Sequence, residues 1–85
     1  MCPGAQSVKP LPEYRLLIAF ENSEQRVFDV KPFLDLGLFR ELRDVAMFNT
    51  VYVSFDAVAW GNGVDLCPDV LYRDSLPVEA ARAGH

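Results

Sequence analysis

Residues 14–20, with the sequence YRLLIAF, are apolar at all but one position. Alternate side chains of a strand share a face, which groups the even-numbered residues from Tyr14 onward on one side. Leu17 and Ala19 on the opposite side are also apolar, as is typical of a strand covered on both faces. A turn at residues 21–24 and a return strand at residues 25–30 complete a predicted β-hairpin.

Short strand and helix signals follow this hairpin. Residues 38–45 carry apolar side chains three and four positions apart, which predicts the one main helix. Segments with a proline near their start predict helical turns at residues 31–37 and 68–72. Further strands are predicted at residues 50–54, 57–60 and 64–66. Together these elements predict a small single α+β domain with a mostly antiparallel sheet of four or five short strands, one main short helix and helical turns.

The ends of the chain differ in composition from its middle. Residues 1–12 contain three prolines and one glycine, which predicts a flexible N-terminal arm. The final residues, AARAGH, resemble a frayed end, so a C-terminal tail is predicted over residues 77–85. The single folded domain is then expected over residues 13–76, since a chain of 85 residues has room for one domain.

The charge balance is acidic, with 12 Asp and Glu against 8 Lys and Arg and a net charge of -4. The basic residues are spread along the sequence, whereas a nucleic-acid-binding surface needs concentrated positive charge. Direct nucleic-acid binding is therefore not expected. The N-terminus lacks the pattern of a signal peptide, and no apolar run is long enough to span a bilayer. A cytoplasmic protein without membrane contact is predicted.

Cys2, Cys67 and His85 are the cysteine and histidine residues of the chain. They are too few and too widely spaced for a zinc site. The acidic residues follow no calcium-loop spacing either, so no metal is expected. The two cysteines could form a disulfide, but two free thiols in a reducing cytoplasm are the favoured alternative.

Groups able to catalyse a reaction are scarce. The histidine is the last residue, where a catalytic base would not be held in place. No serine lies in a nucleophile motif, and no glycine-rich phosphate loop is present. Paired carboxylates at Asp65 and Asp69 would need a deep cleft, which a domain of this size hardly forms. We therefore predict no enzyme, no catalytic residue and no cofactor.

Four residues near the C-terminal end form a candidate binding site: Trp60, Asp65, Asp69 and Tyr72. An aromatic platform beside two carboxylates could hold a cationic side chain or a base. The structural alternative has Trp60 filling the core, the aspartates capping turns, and Tyr72 closing the edge of the sheet. The structural alternative is favoured because packing is the usual reason for a large aromatic residue at a strand end.

The same segment carries a family resemblance. The pattern W-x-N-G-x-D-L-x-P-D-x-L-Y at residues 60–72, preceded by F-x-x-V-x-V at residues 48–53, resembles the C-terminal signature of DUF2442, a small bacterial family of unknown function. The first half follows the family order, so the resemblance covers about residues 8–76. The chain departs from the family at Asn22-Ser23, where a glycine is frequent, and at Gly61, where a proline is common.

The resemblance implies a small α+β domain with a mostly antiparallel sheet and an unassigned biochemical role. Family members resemble stand-alone cytoplasmic proteins or domains attached to helix-turn-helix DNA-binding domains. Many are similar to the second gene of a two-gene unit, which implies a toxin–antitoxin-like or regulatory pair.

An apolar second face of the sheet provides a candidate contact surface, formed by Leu17, Ala19, Val27 and Tyr52. Either it binds a partner or a second copy of the chain, or loops and the N-terminal arm cover it. We predict a non-enzymatic protein–protein interaction or regulatory module, the antitoxin-like half of a two-gene pair, whose acidic surface suits a basic partner. The alternative is a small-ligand sensor or a nucleic-acid-associated regulatory domain.

Overall fold

The computed structural model describes residues 3–79, which contain seven strands, each antiparallel to its neighbours. The strands are β1 (Ala5–Leu11), β2 (Arg15–Phe20), β3 (Gln25–Asp29), β4 (Tyr52–Ser54), β5 (Ala57–Ala59), β6 (Asp65–Leu66) and β7 (Leu76–Pro77). One sheet has the order β1-β2-β3-β7 and the other the order β4-β5-β6. The predicted α+β class is confirmed, although the strands form two sheets instead of one and outnumber the expected four or five.

The strand β1 corrects the predicted flexible arm over residues 1–12. Residues 5–11 pair along the whole length of β2, with Val8 opposite Ile18 and Pro10 opposite Leu16. Proline is tolerated here because β1 is an edge strand, where the missing N–H can face away from the sheet. The arm prediction is therefore wrong for these residues, since their prolines indicate an edge strand and not a mobile segment.

The C-terminal end of the sheet also extends past the predicted boundary at residue 76. Pro77 pairs with Arg26 of β3, so the predicted tail over residues 77–85 begins inside β7. The rest of that tail from residue 80 onward lies outside the described residues. Cys2 also lies outside the described residues, so the structure bears on neither the disulfide nor the pair of free thiols considered from the sequence. Cys67 is exposed.

The alternation predicted for β2 is confirmed. Leu16, Ile18 and Phe20 are fully buried, whereas Leu17 and Ala19 on the other face are half-buried. Both sheets contribute to one hydrophobic core: Ala5, Leu16, Ile18, Phe20, Phe28, Val30, Leu34, Leu42, Phe48, Val58, Trp60, Val64, Leu66 and Leu71. The inward faces of the strands thus meet in a single cluster, as expected for a small domain.

The outer face of the four-stranded sheet carries the apolar row expected from the sequence, with two corrections. Leu17 pairs with Val27, which pairs in turn with Leu76. Tyr52, which was expected on this face, belongs to the other sheet, and the N-terminal residues extend the sheet at its edge instead of covering the face. A role for this face in partner binding or self-association stays a prediction.

The helical segments also differ from the expected single main helix at residues 38–45. That region consists of a 3-10 helix, Gly37–Arg43, and a four-residue α-helix, α1 (Val45–Phe48). Asp44 separates them because its backbone is extended and its side chain caps α1, accepting a hydrogen bond from the Ala46 N–H at 3.0 Å. A second 3-10 helix spans Lys31–Phe33, and α2 (Pro68–Asp74) is the longer α-helix. Within residues 3–79, no helix has the length and apolar character needed to cross a membrane.

Candidate functional site

Trp60 lies directly after β5 with its side chain in the core, only 1% exposed. Its indole Nε1–H donates a hydrogen bond to the carbonyl oxygen of Phe48 at 3.0 Å. The ring packs against the side chains of Phe39 and Phe48, with ring centroids 6.4 and 6.2 Å away. Trp60 therefore joins α1 to the three-stranded sheet, and its ring offers no accessible surface for a ligand.

Tyr72 lies on α2 and connects this helix to the four-stranded sheet. Its ring meets Phe20 edge-to-face at a centroid distance of 5.2 Å. Its hydroxyl donates a hydrogen bond to Glu24 Oε1 at 2.6 Å, and the Arg26 guanidinium lies 4.6 Å from the ring centroid. The side chain thus holds α2 against the turn between β2 and β3, which agrees with the structural interpretation of this residue.

Asp65 and Asp69 are both exposed. Asp65 lies in β6 at the rim of a shallow groove of about 440 Å³, whereas Asp69 is in the first turn of α2. Neither side chain caps the helix, since the N-cap residue of α2 is Cys67 and makes no side-chain hydrogen bond. Within residues 3–79, no group of three or more His, Cys, Asp or Glu side chains is placed to hold a metal ion.

The four predicted site residues do not line one cavity. The described groove that includes Asp65 contains none of Trp60, Asp69 and Tyr72. The fold therefore does not form an aromatic platform beside two carboxylates. Trp60 is buried, and the hydroxyl of Tyr72 is hydrogen-bonded to a glutamate. A binding role for these residues stays a prediction. The contacts of Trp60 and Tyr72 agree with the structural alternative, whereas the expected capping by Asp65 and Asp69 is wrong for α2, whose N-cap is Cys67.

A cluster of polar side chains around Arg26, here called the Arg26 network, connects β3 with the end of α2. The guanidinium donates from Nε to Ser75 Oγ at 2.7 Å and from a terminal nitrogen to the Ser75 carbonyl at 2.8 Å. Its other terminal nitrogen donates to Glu24 Oε2 at 3.0 Å, forming an ion pair. Ser75 Oγ in turn donates to the Tyr72 carbonyl at 3.1 Å. The two hydrogen bonds from Arg26 to Ser75 therefore join residues 49 positions apart, and the local bonds to Glu24 and from Ser75 to Tyr72 orient these side chains.

Two pKa values within the network are shifted. The hydrogen bond from Tyr72 lowers the pKa of Glu24, helped by its contacts with Arg26 and opposed by partial burial. The same hydrogen bond raises the pKa of Tyr72, because the neighbouring carboxylate stabilises the protonated phenol, and partial burial adds to the shift. Both shifts indicate a structural contact, since the tyrosine donates to an ionised glutamate at neutral pH.

These shifts predict how stability depends on pH. Folding lowers the pKa of Glu24, so its contribution is present above the ordinary value of 4.5 and is lost as pH falls through the folded-state pKa. We expect Tyr72→Phe to weaken this acid dependence, because the largest cause of the shift is removed. Urea midpoints measured between about pH 3 and pH 7 test this, with the exposed Tyr52→Phe as the control. Identical pH profiles for both variants would contradict the assignment.

The tip of the β4–β5 hairpin is a surface feature that the site predicted from the sequence did not include. Phe55 is 99% exposed there, and Phe55 and Asp56 both have positive φ angles, 50° and 69°. The signal that could have revealed it is an aromatic residue in a two-residue turn, where asparagine and glycine are preferred. The tip is therefore the clearest surface candidate for contact with another molecule.

Comparison with known proteins assigns the chain to a family but identifies no characterised relative. Neither a curated protein nor a solved structure was found to match the sequence. A family model described as "Protein of unknown function (DUF2442)" matches residues 5–77, which include β1 and β7 and so agree with the extent of the observed fold. On this match, the chain belongs to the DUF2442 family of proteins of unknown function.

Proposed function

We propose that this protein works by binding another protein and carries out no catalysis of its own. The observation that supports the proposal is the amount of apolar surface left in contact with solvent. Six large hydrophobic side chains are half or more exposed: Leu36, Leu38, Val45, Tyr52, Phe55 and Leu76. Exposed apolar groups on a small domain favour association with a partner, because burial removes them from water.

The charge of the chain bears on the kind of partner. With a net charge of -4, the protein is attracted to a basic protein and repelled by nucleic acid. Four basic side chains are already engaged in ion pairs with neighbouring carboxylates: Arg26, Lys31, Arg43 and Arg73. An antitoxin-like role, in which the chain neutralises a basic protein from the same two-gene unit, is the form of the proposal that we favour.

Co-expression with the product of the adjacent gene tests this proposal. We expect the two proteins to co-purify in a fixed ratio and to elute as one species whose mass, measured by light scattering, equals the sum of its chains. An unrelated acidic protein of similar size serves as the control for charge alone. Elution of the chain alone, as a monomer or as a homo-oligomer, would overturn the proposal for this partner.

A further inference from the structure

Neither packing nor turn geometry explains Phe55. Its side chain is 99% exposed, so it adds no buried apolar area to the fold. Its φ angle of 50°, followed by 69° at Asp56, is the pattern of a type I′ turn. Such a turn favours Asn-Gly, whereas a bulky side chain is unfavourable with positive φ. The residue thus weakens the turn, and contacts with the rest of residues 3–79 do not compensate for this.

The hairpin tip is nevertheless held firmly in place. The N–H of Ala5 donates a hydrogen bond to the carbonyl oxygen of Asp56 at 2.9 Å, tying the tip to the start of β1. Gly4 allows this close approach, since a Cβ atom at that position would lie 2.6 Å from Cβ of Asp56. Phe55 is therefore presented on a preorganised turn, which lowers the entropy lost when it is bound.

Carboxylates surround the base of the tip. Glu21 accepts a hydrogen bond from the Gly4 N–H at 3.2 Å, and the Asp56 side chain lies against the same glycine. Within residues 3–79, neither carboxylate forms an ion pair with a lysine or arginine. Phe55 thus projects beside two negative charges that the described part of the fold leaves uncompensated.

We infer that the β4–β5 tip is the contact through which this protein docks onto its partner, an inference that rests on the proposed protein-binding function. The tip fits a partner that has an apolar pocket wide enough for one aromatic ring. Lysine or arginine side chains surround that pocket at its rim. Burial of Phe55 supplies the apolar contact, and Glu21 and Asp56 supply the charge complementarity. The strained turn is retained because it presents the ring.

A second copy of this chain fits the tip poorly. Three shallow grooves on the described surface could receive an aromatic ring, but each has a carboxylate in its lining: Glu13 in one, Glu24 and Glu79 in another, and Asp65 in the third. Placing Asp56 and Glu21 of one copy at these rims would bring like charges together, which disfavours the contact. The partner that this tip fits is therefore a different protein with a basic surface.

Phe55→Asn is the decisive variant, because it separates folding from binding. Asparagine tolerates positive φ, so we expect the full chain to melt at or above the temperature of the wild type. Loss of the ring should weaken binding of the co-purified partner about tenfold or more. Val45→Ala, which trims another exposed apolar side chain outside the tip, is the comparison variant, and its loss of affinity should stay well below that of Phe55→Asn.

The charge component is tested with Glu21→Gln, which keeps an oxygen to accept the Gly4 N–H. We expect this variant to bind more weakly and to lose less affinity than the wild type when NaCl is raised from about 50 to about 300 mM.

Unchanged affinity of Phe55→Asn with an intact wild-type complex would overturn the docking inference alone. Absence of any complex with the wild type would overturn the proposed function and this inference together.

Discussion

Replacing Trp60 with alanine is expected to lower the free energy of unfolding by about 3–5 kcal/mol, the loss typical of a buried tryptophan. The side chain is 1% exposed, contacts two phenylalanine rings and donates its indole hydrogen bond to Phe48. A chain of 85 residues has only about 4–13 kcal/mol of stability in total. We therefore expect the urea midpoint of this variant, followed by circular dichroism, to fall far below that of the wild type.

Matched variants separate packing from hydrogen bonding in this prediction. Trp60→Phe keeps an aromatic ring but leaves the Phe48 carbonyl without its indole partner, for a loss of about 1–3 kcal/mol. Asp65→Asn and Asp69→Asn alter exposed side chains and should change stability by no more than about 0.5 kcal/mol. A Trp60→Ala protein with the urea midpoint of the wild type would contradict the structural role that we assign to this residue.

Arg26→Ala should have the second-largest effect on stability, about 2–3 kcal/mol, because several charge-assisted hydrogen bonds are lost at once. The Arg26 side chain is 15% exposed and holds the buried Ser75 through two hydrogen bonds. Its removal also takes away the cation above the Tyr72 ring. The variant should loosen the end of α2 and β7 from β3.

Denaturant midpoints of Arg26→Ala and of a control, Arg40→Ala, measure this effect. Arg40 is exposed, and its loss should change stability by no more than about 0.5 kcal/mol. Hydrogen exchange adds a local measurement, since the amides of α2 should lose protection before those of β2. Equal midpoints for the two arginine variants would show that the Arg26 network adds little to the fold.

The parts of the fold that could be predicted from the sequence are those determined by residues close together in the chain. Period-two alternation over residues 15–20 is contained in one strand, so the buried face of β2 could be predicted correctly, although Tyr14 lies in the preceding turn with a φ of 58°. The prolines near the N-terminus point to either a loose arm or an edge strand, and only pairing with β2 decides between them. Asp44 likewise could belong to a helix or cap one, and here it divides the predicted helix in two.

The candidate site illustrates the same limit for long-range contacts. The burial of Trp60 could be anticipated from its size and apolar surroundings, whereas its hydrogen bond to Phe48 could not. The contact between Arg26 and Ser75 joins residues 49 positions apart, and no local pattern in the sequence indicates it. An aromatic residue in a two-residue turn marks Phe55 as unusual, but the sequence does not show whether its ring folds back onto the core or points into solvent.

The exchange rate of the Trp60 indole proton, measured by NMR in deuterated buffer, most directly tests whether this residue is part of the core or of a binding surface. A buried, hydrogen-bonded indole exchanges only when the protein unfolds, so we predict a rate in the slowest class, together with the amides of β2. Exchange close to the rate of free tryptophan would show an accessible ring and would contradict the account given for the segment from Trp60 to Tyr72.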